Sequence, residues 1–126
     1  MFWALLTIFF ALHNPMIDFT LRKYRELLAI LQKMGYQFLT FEQYCTHSHY
    51  LLGDTLSHTQ KYIILRHDVD LKAPNSLATA QIEHELGINA SYYFRVVPQS
   101  NQPEVIRAIA ALGHEIGYHY EDMALA

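Results

Sequence analysis

Residues 61–70 read KYIILRHDVD. The apolar, β-branched first half has the character of a buried strand, and it runs into an arginine, a histidine and two aspartates. Side chains of an extended chain alternate between two faces. Ile64, Arg66, Asp68 and Asp70 therefore share one face, and Ile63, Leu65, His67 and Val69 share the other. The second set is mostly apolar and suits a layer of helices. The first brings two carboxylates to one side, ~7 Å apart at Cα by the rise of a strand. Carboxylates so placed repel unless a cation lies between or beside them, and Arg66 or a metal ion can supply that charge. The plainer alternative is that Asp68 merely pairs with Arg66 while Asp70 begins a turn. Spacing alone favours neither.

Outward from this strand, one local pattern recurs. Leu21, Tyr24, Leu28 and Leu31 fall at helical spacing after Thr20, and Gly35 follows as a stop. YQFLTF (36–41) then reads as a short strand, and Thr40 with Gln43 forms a capping box for a brief second helix. Residues 45–60 have no clear period and read as a loop. After the strand at 61–70, Pro74-Asn75 opens a helix that buries Leu77, Ala78, Ile82 and Leu86, and Gly87 ends it. INASYYFRVV (88–97) is the next strand. Pro103 occupies the first position of a helix whose stripe is Val105, Ile106, Ile109 and Leu112, and Gly113 ends that one before the strand HEIGYHY (114–120). Helix, glycine, strand repeated in this way predicts parallel βαβ units with right-handed crossovers. The fold class is α/β, as an open sheet or as part of a barrel. In both, ligands sit at the carboxyl ends of the strands.

The stretch GHEIGYHYED (113–122) can be read by the same alternation. Glu115, Gly117, His119 and Glu121 fall on one face, and His114, Ile116 and Tyr118 on the other. Two histidines of one regular strand then cannot both reach one site. His119, near the strand's carboxyl end, is the better ligand candidate, because the architecture brings it to the same rim as Asp68 and Asp70.

Composition bounds the rest. The chain has 126 residues, 52% hydrophobic and 17% charged, so it forms one domain or part of one. A net charge of −3 gives no basic patch for nucleic acid. Cys45 is the single cysteine, which excludes a disulfide framework and fits the reducing cytoplasm. Eight histidines raise the question of a metal. The opening run MFWALLTIFFAL (1–12) is too short for a transmembrane span, which takes ~20 residues. Residues 1–15 read as an apolar extension, with Met16 a natural start. A signal-like segment, which would mean export or membrane association, and a piece of buried core are the other readings.

ILRHDVD (64–70) followed by LGHEIGYHYED (112–122) resembles the polysaccharide deacetylases of carbohydrate esterase family 4. The likeness is closest to the bacterial branch whose first motif is RHDVD. MIDFTLRKYRELLAILQKMGYQFLTFEQY (16–44) is similar to that branch's lead-in, and LGINASYYFR (86–95) to its middle strand, so the resemblance covers residues 16–126.

The resemblance implies the N-terminal portion of a deformed (β/α) barrel and a metal-dependent hydrolase that removes acetyl groups from N- or O-acetylated carbohydrate. It assigns Asp68 as general base, and Asp70 and His119 as ligands of a divalent metal, zinc foremost, with cobalt, nickel or iron also served by such a site. His67 is expected to hold a carboxylate of the site, and Arg66, His114 and Glu121 are further candidates around it. The commoner second motif carries another histidine where Met123 stands, and a thioether is a poor ligand in an oxygen–nitrogen site. The third protein ligand is then Glu121, Asp122 or a residue of a longer chain. Barrels of this type need more strands than are counted here, so residues 16–126 read as a partial domain, truncated at its C-terminus. Completion across a homodimer and a non-catalytic metal-binding or interaction protein are the alternatives.

Overall fold

The computed structural model describes residues 4–7, 20–51 and 60–120. Its elements are, in chain order, β1 (Ala4–Thr7), α1 (Leu21–Lys33), β2 (Tyr36–Leu39), α2 (Phe41–Leu51), β3 (Lys61–Val69), α3 (Ala73–Glu85), β4 (Ser91–Phe94), α4 (Pro103–Ala111) and β5 (Glu115–Tyr118). Every strand pairing is parallel. β3 is the hub: it pairs with β2 from Lys61 to Ile64, with β1 from Ile63 to Arg66, and with β4 from Arg66 to Val69. β5 continues the sheet beyond β4, with Glu115 opposite Ser91 and Tyr118 opposite Phe94. The α/β class and the alternation of helices with parallel strands agree with the sequence. Of the opening apolar run, Ala4–Thr7 is a strand of this sheet.

The alternation along β3 holds. Ile63, Leu65 and Val69 are buried in one core with Tyr92 and Phe94 of β4, Tyr24 and Leu28 of α1, Ala80 and Ile82 of α3, and Ile109 of α4. These helices cover one face of the sheet, and Asp68 projects from the other. The buried residues near the middle of α3 are Thr79, Ala80, Ile82 and Glu83, whereas Leu77 and Leu86 pack at the margin and Ala78 is only half-buried. Hydrophobic periodicity overlooks this face because two of its members are polar.

The caps explain why the helices begin where they do. Lys23 N–H donates to Thr20 Oγ1 at 3.2 Å. Thr40 and Gln43 form the reciprocal box, Gln43 N–H donating to Thr40 Oγ1 at 3.1 Å and Thr40 N–H to Gln43 Oε1 at 3.0 Å. The helix so started is not brief: α2 runs to Leu51, so the stretch read as a loop from residue 45 is helical for its first seven residues, and 52–59 lie outside the described residues. Its sequence lacks an apolar stripe, which is the signal that periodicity depends on. Gly35, Gly87 and Gly113 end their helices at φ of 86°, 71° and 94°, in the left-handed region that side chains with a Cβ avoid.

Gly87 isolates that backbone cost, because an added Cβ would meet nothing within 4 Å. Gly87→Ala is expected to lower unfolding stability by about 1–2 kcal/mol with no change in fold, measured by urea denaturation.

Candidate functional site

Asp68 and Asp70 stand at the carboxyl end of β3, and His119 follows β5 directly. His119 N–H donates to the Phe94 carbonyl at 2.9 Å, which carries the strand ladder one residue further and sets the ring on the aspartate side. Nε2 of His119 lies 3.7 Å from Asp68 Oδ2 and 3.9 Å from Asp70 Oδ1. Asp68 and His119 are largely enclosed, while Asp70 is about half exposed at 51%. The other Asp68 oxygen, Oδ1, accepts from Arg66 Nε at 2.8 Å. Arg66 thus pairs with Asp68 through one oxygen, as the plainer reading of HDVD expected, and the second oxygen faces His119.

Aromatic packing supports this arrangement from β4. The Arg66 guanidinium lies over the Tyr93 ring, 4.5 Å from its centroid. Tyr93 in turn lies against Gly117 of β5, where a Cβ would come within 2.4 Å of the ring. Phe41, at the first turn of α2, meets Tyr93 edge-on at 6.1 Å. Phe41 N–H donates to Glu115 Oε2 at 3.0 Å, and the buried Ser91 hydroxyl donates to the same oxygen. Glu115 thereby anchors the positive end of α2 against β4 and β5. Burial and then the Glu115 carboxylate push the Tyr93 phenol up, against the opposing Arg66 charge, so it stays neutral.

Two predicted histidines lie elsewhere. His67 does hold a carboxylate, but on the helix side and not in the site: its Nε2–H donates to Glu83 Oε1 at 2.6 Å. The correction follows from strand alternation, since a neighbour of Asp68 in sequence must point away from it. His114 is also in the core, as alternation required. Ala90 N–H donates to its Nδ1 at 3.0 Å and its Nε2–H donates to the Ala80 carbonyl at 2.9 Å, which leaves it a neutral ring with both nitrogens used. Burial lowers the His114 pKa, opposed by the Ala80 carbonyl and Glu83. Glu121, Asp122 and Met123 lie outside the described residues.

Glu83 is the residue that sequence reasoning missed. It is completely buried. Besides His67, it accepts from the Tyr24 hydroxyl and, at 2.7 Å, from the Tyr92 hydroxyl. Burial alone would raise its carboxyl; hydrogen bonding and charge from His67, with the bonds from both tyrosines, outweigh this and hold it below the usual range. Both phenols are pushed up by burial and then by Glu83, so both remain donors. The available signal was a charged residue set in a buried stripe, one turn from Thr79 and beside Ile82.

Among the described residues no group of three or more His, Cys, Asp or Glu side chains forms a ready metal cage. Ligand–ligand separations in a tetrahedral zinc site are about 3.4 Å, from bond lengths near 2.1 Å. The separations of 3.7 and 3.9 Å at His119 exceed that by a few tenths of an ångström. Oxygen and imidazole nitrogen are the donors that a borderline divalent cation takes. In donor chemistry Asp70 and His119 fit such an ion, and their 3.9 Å separation would close by about half an ångström around it. Among the described residues no helix is long and apolar enough to cross a membrane. No protein-family model matches the chain, and neither a curated protein nor a solved structure matches it.

Two outcomes follow from these contacts. Gly117→Ala displaces the Tyr93 ring and costs about 1–3 kcal/mol. In a double-mutant cycle with Tyr93→Leu most of that cost disappears, since the obstructing ring is gone. Stability also depends on pH. A pKa lowered on folding means that the unfolded chain takes up the proton first as pH falls, so stability is present above the unfolded value and lost below it. His114 destabilises below its ordinary 6.5, and Glu83 below its ordinary 4.5. Thermal melts from pH 8 to 4 should show a decline beginning near 6.5 and steepening below 4.5, with His114→Gln removing the first part.

Proposed function

We propose that this chain is the N-terminal part of a metal-dependent deacetylase acting on N- or O-acetylated carbohydrate, and that its parallel sheet is the first portion of a deformed (β/α) barrel. One observation carries the reading. Asp68, Asp70 and His119, to which the resemblance assigns base and metal-holding roles, meet on one rim with the His119 Nε2 within 4 Å of both carboxylates. That rim is the carboxyl end of parallel strands, where α/β folds bind ligands. Leu71, Val96 and Tyr120, in the segments that follow the three strands, are exposed large apolar side chains, a surface on which the CH face of a sugar ring packs.

Asp70 and His119 would hold the divalent cation, zinc in the first instance. Such an ion, when bound, polarises an acyl carbonyl and makes water a stronger acid. Asp68 takes the proton from the attacking water through Oδ2, the oxygen that Arg66 leaves available. Arg66, stacked on Tyr93, fixes the carboxylate in that orientation. Water oxygen bonds to the acetyl carbon, the bond from that carbon to the sugar nitrogen or oxygen breaks, the proton held by Asp68 passes to the departing nitrogen or oxygen, and acetate leaves.

The test is zinc titration calorimetry combined with acetate release from acetylated glucosamine oligomers. Asp70→Asn and His119→Ala should each weaken zinc by at least about 10-fold. Asp68→Asn should keep zinc and lower acetate release by about 10²–10⁴-fold. A wild-type chain that binds no zinc overturns the reading. Loss of zinc in Asp68→Asn with retention in Asp70→Asn reverses the two roles.

A further inference from the structure

We infer that Glu83, inside the helix layer, is a positioning residue for the rim site: it sets where β3 and β5 present Asp68, Asp70 and His119 to one another. The inference rests on the metal-site reading above and deepens it. From α3 the Glu83 carboxylate holds Tyr24 of α1, His67 of β3 and Tyr92 of β4 by hydrogen bonds, and through the Tyr92 ring it reaches His114, the residue that leads into β5. The three rings form a continuous row beneath the site. His67 stacks on Tyr92 at 4.4 Å with 19° between planes, and His114 meets Tyr92 edge-on at 5.2 Å. The row crosses the strand that carries both aspartates, the strand beside it, and the strand that leads to His119.

His67 is the immediate neighbour of Asp68. Holding its ring on the lower face holds the peptide from which Asp68 rises on the upper face. His114 does the same at the start of β5, tied to α3 through Ala80 and to the approach of β4 through Ala90. A buried carboxylate is not required for stability, since apolar side chains of similar volume do as well or better in such places. What it adds is direction: hydrogen bonds fix rings at set angles, whereas apolar contacts tolerate sliding. Direction matters at this rim, where the two metal-holding donors, Asp70 Oδ1 and His119 Nε2, stand 3.9 Å apart and must close by about half an ångström. Metal sites tolerate errors of about 0.2 Å in ligand distance.

The test compares Glu83→Gln, which keeps the volume and removes the charge, with Tyr24→Phe, which removes one hydrogen bond, and with Ile109→Ala, a destabilising change in the core on α4 at a side chain that can make no hydrogen bond to the network. Zinc affinity by calorimetry should fall more than about two-fold in Glu83→Gln, up to about the 10-fold lower bound for losing a group bonded directly to a ligand, and by less in Tyr24→Phe. Ile109→Ala should lower the melting temperature and leave zinc affinity within about two-fold. In metal-free protein the His119 ring signals in ¹H–¹⁵N spectra should shift in Glu83→Gln and stay in place in Ile109→Ala. Wild-type affinity and unshifted His119 signals in Glu83→Gln overturn the inference, as does an equal zinc loss in Ile109→Ala. Should Glu83→Gln fail to fold, Tyr24→Phe decides by the same two readouts. If wild type binds no zinc, the metal-site reading fails by itself, and the metal-free His119 signals still decide whether Glu83 positions the rim.

Discussion

The two-residue repeat of an extended chain governs this molecule through β3. At consecutive positions Arg66, His67, Asp68 and Val69 point alternately to the open face and into the helix layer. One strand thus presents a charged pair to the rim while closing the core beneath it. A slip of one residue in its pairing would bury Asp68 and expose Val69, so the apolar contacts of Ile63, Leu65 and Val69 also determine where the carboxylates stand.

Each face is held by its own polar arrangement, built on opposite principles. Under the sheet, Glu83 gathers donors from three elements around one buried carboxylate, and the energy lies in complete satisfaction of a costly group. Above it, Arg66, Tyr93, Gly117 and Phe41 form a stack in which shape decides, and Gly117 is there because the Tyr93 ring takes the space of a side chain. Glu115 links this stack to the start of α2. The rim is therefore a semi-rigid surface with Arg66 bonded, Asp68 oriented and Asp70 open to solvent.

Much of this was legible beforehand. The helix–glycine–strand units, the Thr40–Gln43 box and the two faces of KYIILRHDVD all follow from short-range regularities, and with the parallel βαβ rule they put His119 on the same rim as both aspartates. They are legible because periodicity, capping and positive φ act within a few residues. The length of α2 was not, since it lacks an apolar stripe and is tied down at its start by Glu115, seventy-four residues later in the chain. The partner of His67 was not either. Alternation says that the ring leaves the site, but not which carboxylate it finds.

The linear chain was enough to establish the α/β class, the order of its elements and which side chains share a face, because these depend on local geometry repeated along the backbone. Tertiary structure alone decided the pairings between distant residues: Glu83 with His67, Tyr24 and Tyr92; Tyr93 over Gly117; and the facing of His119 Nε2 and Asp68 Oδ2. Such pairings depend on how far each strand is translated along its neighbour and how each helix lies across the sheet. Those quantities come from the packing of the whole core, and no short stretch of sequence contains them.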